Sequence, residues 1–390
     1  MTGECATAGR GGRMDDGQRA GGDLRDRGWR RLARVLLIGA GALGCLLAPS
    51  FASASTLTGG PNPKITASNG EQNQIVLSGT ASGTVITDAA GIALASAPEC
   101  TQDTPNQVTC NSATGNWQFL RLALGDLDDR IDVQSFAPGW GVDANGEGGN
   151  DRLDFGGLAG LPPIGPGGGQ TTADARGGAG NDVLIGSQGS NVFDSDSSNN
   201  PDPNYDVGDD TLIGGPLRDR LGGGRGSDSM DGRDGSDTLL GILIDAENDA
   251  LQEDGGRDTM SCGPGYEPLE DVADVVFTGK GDTITTDCEL LAWPDFCPAG
   301  GTCVGTKSAT TTVKRKGKKR KIVLARRSVK GVGGRDTGAA LELKGKAVRS
   351  ALGKRDSMPA TVTMDYDRIK GGKKIGSINR SGSFRIARAD

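Results

Sequence analysis

The sequence predicts an all-β chain, a parallel β-roll or solenoid of nine-residue repeats followed by a small antiparallel β domain. Three observations predict it. Between Gly177 and Glu270 one nine-residue unit keeps returning, with glycine at its first, second and fourth places, an acidic residue at the sixth and a large apolar residue at the eighth. The 390 residues carry 66 Gly and only 4% aromatics, too little bulky side chain for a conventional core of this length, although a solenoid needs less. Charge reverses near residue 305: residues 55–304 hold 39 acidic and 11 basic side chains, and residues 305–390 hold 24 basic and 6 acidic.

Residues 1–54 read as a leader and signal peptide. Arg30-Arg31-Leu-Ala-Arg34 precedes the apolar run Val35–Leu47, and Phe51-Ala-Ser-Ala54 supplies an A-x-A-like end. The run is short for a membrane span, so cleavage near Ala54/Ser55 and no span afterwards are expected. The mature chain is then expected to be secreted, extracellular or at the cell surface. Residues 55–145 form an N-terminal β region that opens the solenoid. Its alternating stretches Ile75-Val-Leu-Ser, Thr84-Val-Ile-Thr and Gln107-Val-Thr-Cys110 are separated by Gly-rich turns.

Residues 146–290 hold the repeats and a closing segment. Gly177–Ile185 (GGAGNDVLI) matches GGxGxDxUx in full, where U is a large apolar residue, and Gly186–Asp194 follows in phase with Asn191 in the acidic slot. A longer run passes through Tyr205–Ile213, Gly214–Gly222, Gly223–Asp231 and Gly232–Leu240 without a gap. It then resumes as Ile244–Gln252, Glu253–Ser261 and Cys262–Glu270. Leu124–Asp132 and Gly146–Asp154 are further repeat-like units. The Pro/Gly-rich stretch Gly160–Gly169 and the stretch Asn199–Asn204 read as bulging loops.

The unit has a mechanical meaning. Glycine enters positive φ at no steric cost and exposes carbonyl oxygens near one point, and an Asp at the sixth place adds a carboxylate to them. The turn becomes a hard, all-oxygen cage suited to calcium. The residues x-U-x form a short strand with U inward, which places Leu184, Phe193, Leu212, Leu221, Met230 and Leu239 in the core. The candidate calcium ligands are Asp151, Asp182, Asn191, Asp210, Asp219, Asp228, Asp237, Asp249 and Asp258, with the loop glycines Gly178, Gly180, Gly224, Gly226 and Gly235. On these residues the chain resembles the RTX, or haemolysin-type, calcium-binding repeat. The resemblance implies several Ca²⁺ ions, each between turns of repeats two apart, held by Asp carboxylates and glycine-loop carbonyls. The acidic excess of residues 55–304 would repel itself unless divalent cations occupy it.

Asp271–Glu289 drops the glycine loops but keeps the apolar stretches Asp274-Val-Val-Phe277 and Thr283-Ile-Thr-Thr286. A Cys-bearing linker, 291–304, leads to a basic, β-sandwich-like domain at 305–390. Ile322–Leu324, Leu341–Leu343, Val362–Met364, Ile375–Ile378 and Phe384–Ile386 read as its strands, with turns such as Lys370-Gly-Gly-Lys and Arg380-Ser-Gly-Ser between them. The Lys314–Lys321 run (KRKGKKRK) reads either as a site for an anionic cell-surface polymer or as a solvated hairpin turn. Nucleic acid is not expected, because no aromatic platform accompanies the charge.

Six cysteines follow the cleavage point, so disulfides are expected; sequence alone allows fifteen pairings. Proximity favours Cys100–Cys110, Cys262–Cys288 and Cys297–Cys303. The chain has no His, which removes His-liganded zinc and His-based nucleophile pairs, and it lacks a G-x-S-x-G elbow. A structural or surface-interaction role is therefore expected rather than an enzyme. The alternatives are a surface adhesin attached by the basic domain and an accessory part of a secreted hydrolase.

Overall fold

The computed structural model describes residues 55–389, apart from 81–82, 112–116, 135–138, 160–170, 196–207, 242, 246–249, 253–255, 264–274, 289, 293–295, 298–299, 333–334 and 337–339. The leader, the two bulging loops and Asp249 lie outside the described residues.

Most repeat strands are three residues long, such as Val183–Ile185 and Thr211–Ile213, and only the middle side chain is buried. A triplet this short cannot form a sheet alone. It stacks in parallel on the triplet of the unit two places away, so the chain alternates between two sheets. In a twelve-stranded first sheet, Phe193, Leu221, Leu239, Val276 and Leu291 stand in register. In a fifteen-stranded second sheet, Leu153, Leu184, Leu212, Met230, Met260 and Ile284 do the same. None of these eleven side chains is more than 1% exposed. The six core residues expected from the period are among the inward-facing ones.

The N-terminal region begins both sheets. Gln74–Thr80 runs parallel to Arg130–Val133, and the antiparallel strands Gly83–Asp88, Gln107–Cys110 and Cys100–Thr104 continue the second sheet outward. Trp117 and Trp140 meet edge to face, 5.2 Å between ring centroids, and fill the early roll with the largest side chains available.

Ile244–Gln252, which keeps the repeat phase, is not a rung. Leu243–Asp245 and Ala250–Gln252 pair antiparallel in a two-stranded sheet of their own, and the roll resumes at Thr259–Ser261 beside Ser229–Asp231. Ile244-Asp-Ala-Glu has no glycine where the tight turn needs it, so acidic-then-apolar spacing alone yields a hairpin. The closing segment supplies two more rungs in its expected apolar stretches, Val275–Phe277 and Thr283–Thr285.

The basic C-terminal segment continues both sheets. Thr302–Arg315, Lys318–Val332, Ser357–Lys370 and Lys373–Ala387 form an antiparallel four-stranded array. Thr283–Thr285 pairs in parallel with Arg385–Ala387, and Leu290–Leu291 pairs antiparallel with Leu341–Glu342. The expected turn at Arg380-Ser-Gly-Ser is instead strand interior, because Ser381 and Gly382 find partners in Thr363 and Val362. Gly345–Leu352 is a helix the strand pattern did not anticipate; it buries Val348, Ala351 and Leu352, one i, i+3, i+4 face, and ends at Gly353 with φ +62°.

Cys100–Cys110, Cys262–Cys288 and Cys297–Cys303 are disulfide-bonded, the pairing that proximity favours. The second staples the segments that follow two successive rungs of the second sheet. These bonds are compatible with an oxidising, extracellular setting. Among the described residues no helix is long and apolar enough to cross a membrane.

Leu212 is fully buried between Leu184 and Met230, whereas Leu127 is 46% exposed. Leu212→Ala is expected to lower unfolding free energy by about 2–5 kcal/mol, read from the denaturant midpoint. Leu127→Ala should stay within about 0.5 kcal/mol.

Candidate functional site

The glycine turns set the geometry. At the fourth place of the unit, a Cβ on Gly180 would lie 1.7 Å from the Gly149 carbonyl oxygen, and one on Gly226 would lie 1.6 Å from that of Gly208. Both also have positive φ, +126° and +140°. Only glycine lets successive turns stack this closely. The other loop glycines singled out by the sequence, Gly178, Gly224 and Gly235, likewise have positive φ.

At the first place the glycine makes room for the unit's own aspartate. A Cβ on Gly146 would fall 2.1 Å from Asp151 Oδ2, and one on Gly177 would fall 2.2 Å from Asp182 Oδ2. Each carboxylate is thus folded back over its own turn, and each is buried.

The other oxygen, Oδ1, joins the rungs. Along the turn line that leads into the second sheet, the backbone N–H of Asp129 donates to Asp151 Oδ1 (2.7 Å), that of Asp151 to Asp182 (2.7 Å), and that of Asp182 to Asp210 (2.7 Å). The line continues from Asp210 to Asp228 (2.9 Å), from Asp228 to Asp258 (2.9 Å), and from Asp258 to Asp282 (3.2 Å). The opposite turn line is shorter: Asn191 N–H donates to Asp219 Oδ1 (2.7 Å), and Asp219 N–H to Asp237 Oδ1 (2.8 Å). The structure therefore gathers Asp151, Asp182, Asp210, Asp228 and Asp258 on one line and Asn191, Asp219 and Asp237 on the other.

Protein groups close the ends of the long line. Asn73 N–H donates to Asp129 Oδ1 (2.6 Å), and Asn73 is held in turn by Ser55. At the other end Thr278 Oγ1 and Gly279 N–H donate to Asp282 Oδ2. On the short line Gly215 N–H donates to Asp219 Oδ2, and Asn191 offers a neutral amide whose Nδ2 donates to Gly189 O and Asp219 Oδ1.

Near the Asn73 end the second carboxylate oxygens stay unsatisfied. Asp129 Oδ2 and Asp151 Oδ2 are buried and have no hydrogen-bond donor. At Gly146 the same point in space that Asp151 Oδ2 crowds is also crowded by the Gly177 carbonyl oxygen, 2.3 Å from an ideal Cβ. Two acceptors thus approach one point, an arrangement that a proton or a hard cation resolves. Among the described residues no three acidic or cysteine side chains converge on one point. Any coordination shell would therefore need turn carbonyls beside the carboxylates, as the unit provides.

Burial sets the electrostatics. It pushes Asp151 and Asp210 up to about 6, opposed by the backbone N–H each accepts. It pushes Asp129 and Asp219 up to about 7, with the Asp151 carboxylate adding to the rise at Asp129. Desolvation of a carboxylate favours its neutral form, and at Asp219 it outweighs the opposing charge of Arg233.

Sequence reasoning missed Asp129 and Asp282. Asp129 carries part of the signal, an acidic residue two places before inward Ile131, but Leu124 and Leu127 stand at the first and fourth places where glycine is expected. Asp282 stands two places before Ile284, but its turn, Gly279-Lys-Gly, is shortened and hides the unit. A second, exposed ladder at the fifth place was also missed: Asn150 N–H donates to Asp128, Asn181 N–H to Asn150, Asp209 N–H to Asn181 and Ser227 N–H to Asp209.

The raised values fix a pH dependence for the metal-free chain. The folded state holds protons that the unfolded chain, near 3.8, has released. This contribution is fully present below about pH 4 and is lost as pH rises through about 6 to 7. In chelator, the thermal midpoint should fall between about pH 5 and about pH 8; a midpoint that climbs over this interval would contradict the buried-carboxylate account.

No protein-family model matches the chain, and no curated protein or solved structure matches it either.

Proposed function

We propose that this is an exported calcium-binding protein of the RTX, haemolysin-type kind, in which Ca²⁺ neutralises the buried aspartate lines and completes the folding of the roll. Its role on this reading is structural or interactive, not catalytic. The observation that carries it is the donor-free Oδ2 of Asp129 and Asp151 among stacked glycine turns. Asp151, Asp182, Asp210, Asp228 and Asp258, together with turn carbonyls such as that of Gly177, would hold the ions. Asp219 and Asp237 form a second, shorter line in which neutral Asn191 weakens the first place.

Oxygen-only ligands and a flexible loop suit calcium, while magnesium demands tighter octahedral geometry. Affinities of about 10⁻⁴–10⁻³ M, the range of extracellular modules, are expected for sites that are partly built before binding. The signal-like leader and the disulfides agree with that setting.

Asp151→Asn separates the two jobs of the carboxylate. The amide keeps an acceptor for Asp129 N–H and removes the charge that a metal needs. At about pH 8 the variant should be at least as stable as the parent in chelator, should gain less on adding calcium, and should show fewer sites by calorimetry. Asp103→Ala, at an exposed residue outside both lines, should change none of these. Unaltered stoichiometry in Asp151→Asn, or an equal response to magnesium, would count against calcium at the line.

A further inference from the structure

The C-terminal segment carries a second chemistry that the aspartate lines do not use. From Lys314 to Lys321 every place except Gly317 is a cation, and every one of them is exposed. The run is the tip of the hairpin formed by Thr302–Arg315 and Lys318–Val332. Its register sets Arg315 directly opposite Lys318 and Lys314 directly opposite Lys319. Like charges placed opposite one another destabilise an antiparallel pair. Among the described residues none of these cations has a carboxylate at ion-pair distance; the nearest comparable pair in the segment joins Lys374 to Asp367 at 2.5 Å, on another hairpin.

The turn adds to the cost. Lys316 and Gly317 both have positive φ, +49° and +76°. The sister hairpin, between Ser357–Lys370 and Lys373–Ala387, uses Gly371 and Gly372 at its own two positive-φ places. A lysine held in left-handed backbone, where glycine or asparagine is easier, adds one more cation at the apex. Solubility alone calls for mixed signs, not for a one-sign tip.

We propose that this hairpin tip is a docking element for a flexible, carboxylated polysaccharide of a cell surface or matrix. The charges lie on both faces of the ribbon. Arg315 points to the helix side, where its guanidinium donates to Ser350 O (3.1 Å) and Ser350 Oγ (2.9 Å); Lys314, Lys319 and Lys321 share the opposite face. A flat bilayer could meet only one of these faces, whereas a polymer can pass along both. Five of the seven cations are Lys, which offers a point charge to a mobile carbohydrate chain; a phosphate-reading groove favours the rigid Arg fork. The described aromatics of the segment, Tyr366 and Phe384, are buried, so stacked bases find no platform. The inference is independent of calcium, and it is measured both in chelator and in calcium.

The test is binding of the full secreted chain to immobilised hyaluronan, a uronate polymer, at low and high salt. The tip set Lys314→Gln, Lys316→Gln, Lys318→Gln and Lys319→Gln is compared with a charge-matched set at exposed positions elsewhere, Lys280→Gln, Lys330→Gln, Lys370→Gln and Lys373→Gln. The tip set should weaken low-salt binding about tenfold or more and flatten its salt dependence; the matched set should change it by less than about threefold. A second tip variant, Lys318→Glu with Lys319→Glu, places opposite charges across the turn, so the hairpin is kept while the cationic tip is lost, and it too should lose binding. Equal losses in the tip and matched sets would overturn the proposal in favour of net charge. Binding to anionic vesicles with none to hyaluronan would overturn it in favour of a membrane. Self-association that the tip set abolishes, without any polymer binding, would overturn it in favour of the acidic roll of a second copy.

Discussion

The roll depends on one contact repeated along its edge, the backbone N–H of one aspartate donating to the carboxylate of the next. Three-residue strands bring too few ladder bonds and too little apolar area to hold their turns in place. The side chain at the sixth place supplies the missing restraint, because it binds the turn of the neighbouring rung at the residue just before the strand begins. The same contact forces the carboxylate inside. In the units that open on Gly146, Gly177, Gly214, Gly223 and Gly232, glycine at the first place leaves room for Oδ2, and at Gly180 and Gly226 glycine at the fourth lets the next turn close over it.

Burial turns this restraint into an electrostatic liability. A column of buried carboxylates must be neutralised by protons or by metal, and the raised values of Asp129, Asp151, Asp210 and Asp219, the last in spite of Arg233, express that need. At the Asp282 end Thr278 and Gly279 donate to Oδ2, whereas at the Asp129 end Asn73 reaches Oδ1 and leaves Oδ2 without a donor. On the calcium proposal the metal takes the donor-free oxygens and the protein caps the Asp282 end. The cationic tip at Lys314–Lys321 lies on another hairpin and does not contribute to this balance.

Sequence and structure agree where one residue's chemistry dictates its place. Leu184, Leu212 and Met230 are inward because their period leaves no other face, and Asp182, Asp210 and Asp228 fall in line because the turn repeats. Agreement fails where the pattern is partial. Asp249 and Leu251 keep the acidic-to-apolar spacing without the glycines, and the flanking strands form a hairpin off the roll. Asp282 has the carboxylate and the inward Ile284 but a shortened turn, and its place in the line rests on its bond from Asp258 N–H. Arg380-Ser-Gly-Ser has turn composition, yet the partner strand Ser357–Lys370 is long enough to keep it extended. The Gly345–Leu352 helix rests on three buried residues, a signal too short to stand out among alternating strands.

The most direct test of the central claim, that metal or protons must neutralise the buried aspartate line, is far-ultraviolet circular dichroism of the chain at about pH 8, in chelator and through a calcium titration, repeated at about pH 5. The account predicts a weak β signal in chelator at the higher pH, a cooperative gain on adding calcium, and a smaller calcium response at the lower pH, where protons already occupy part of the line. A full β signal in chelator at about pH 8, unchanged by calcium, would contradict it.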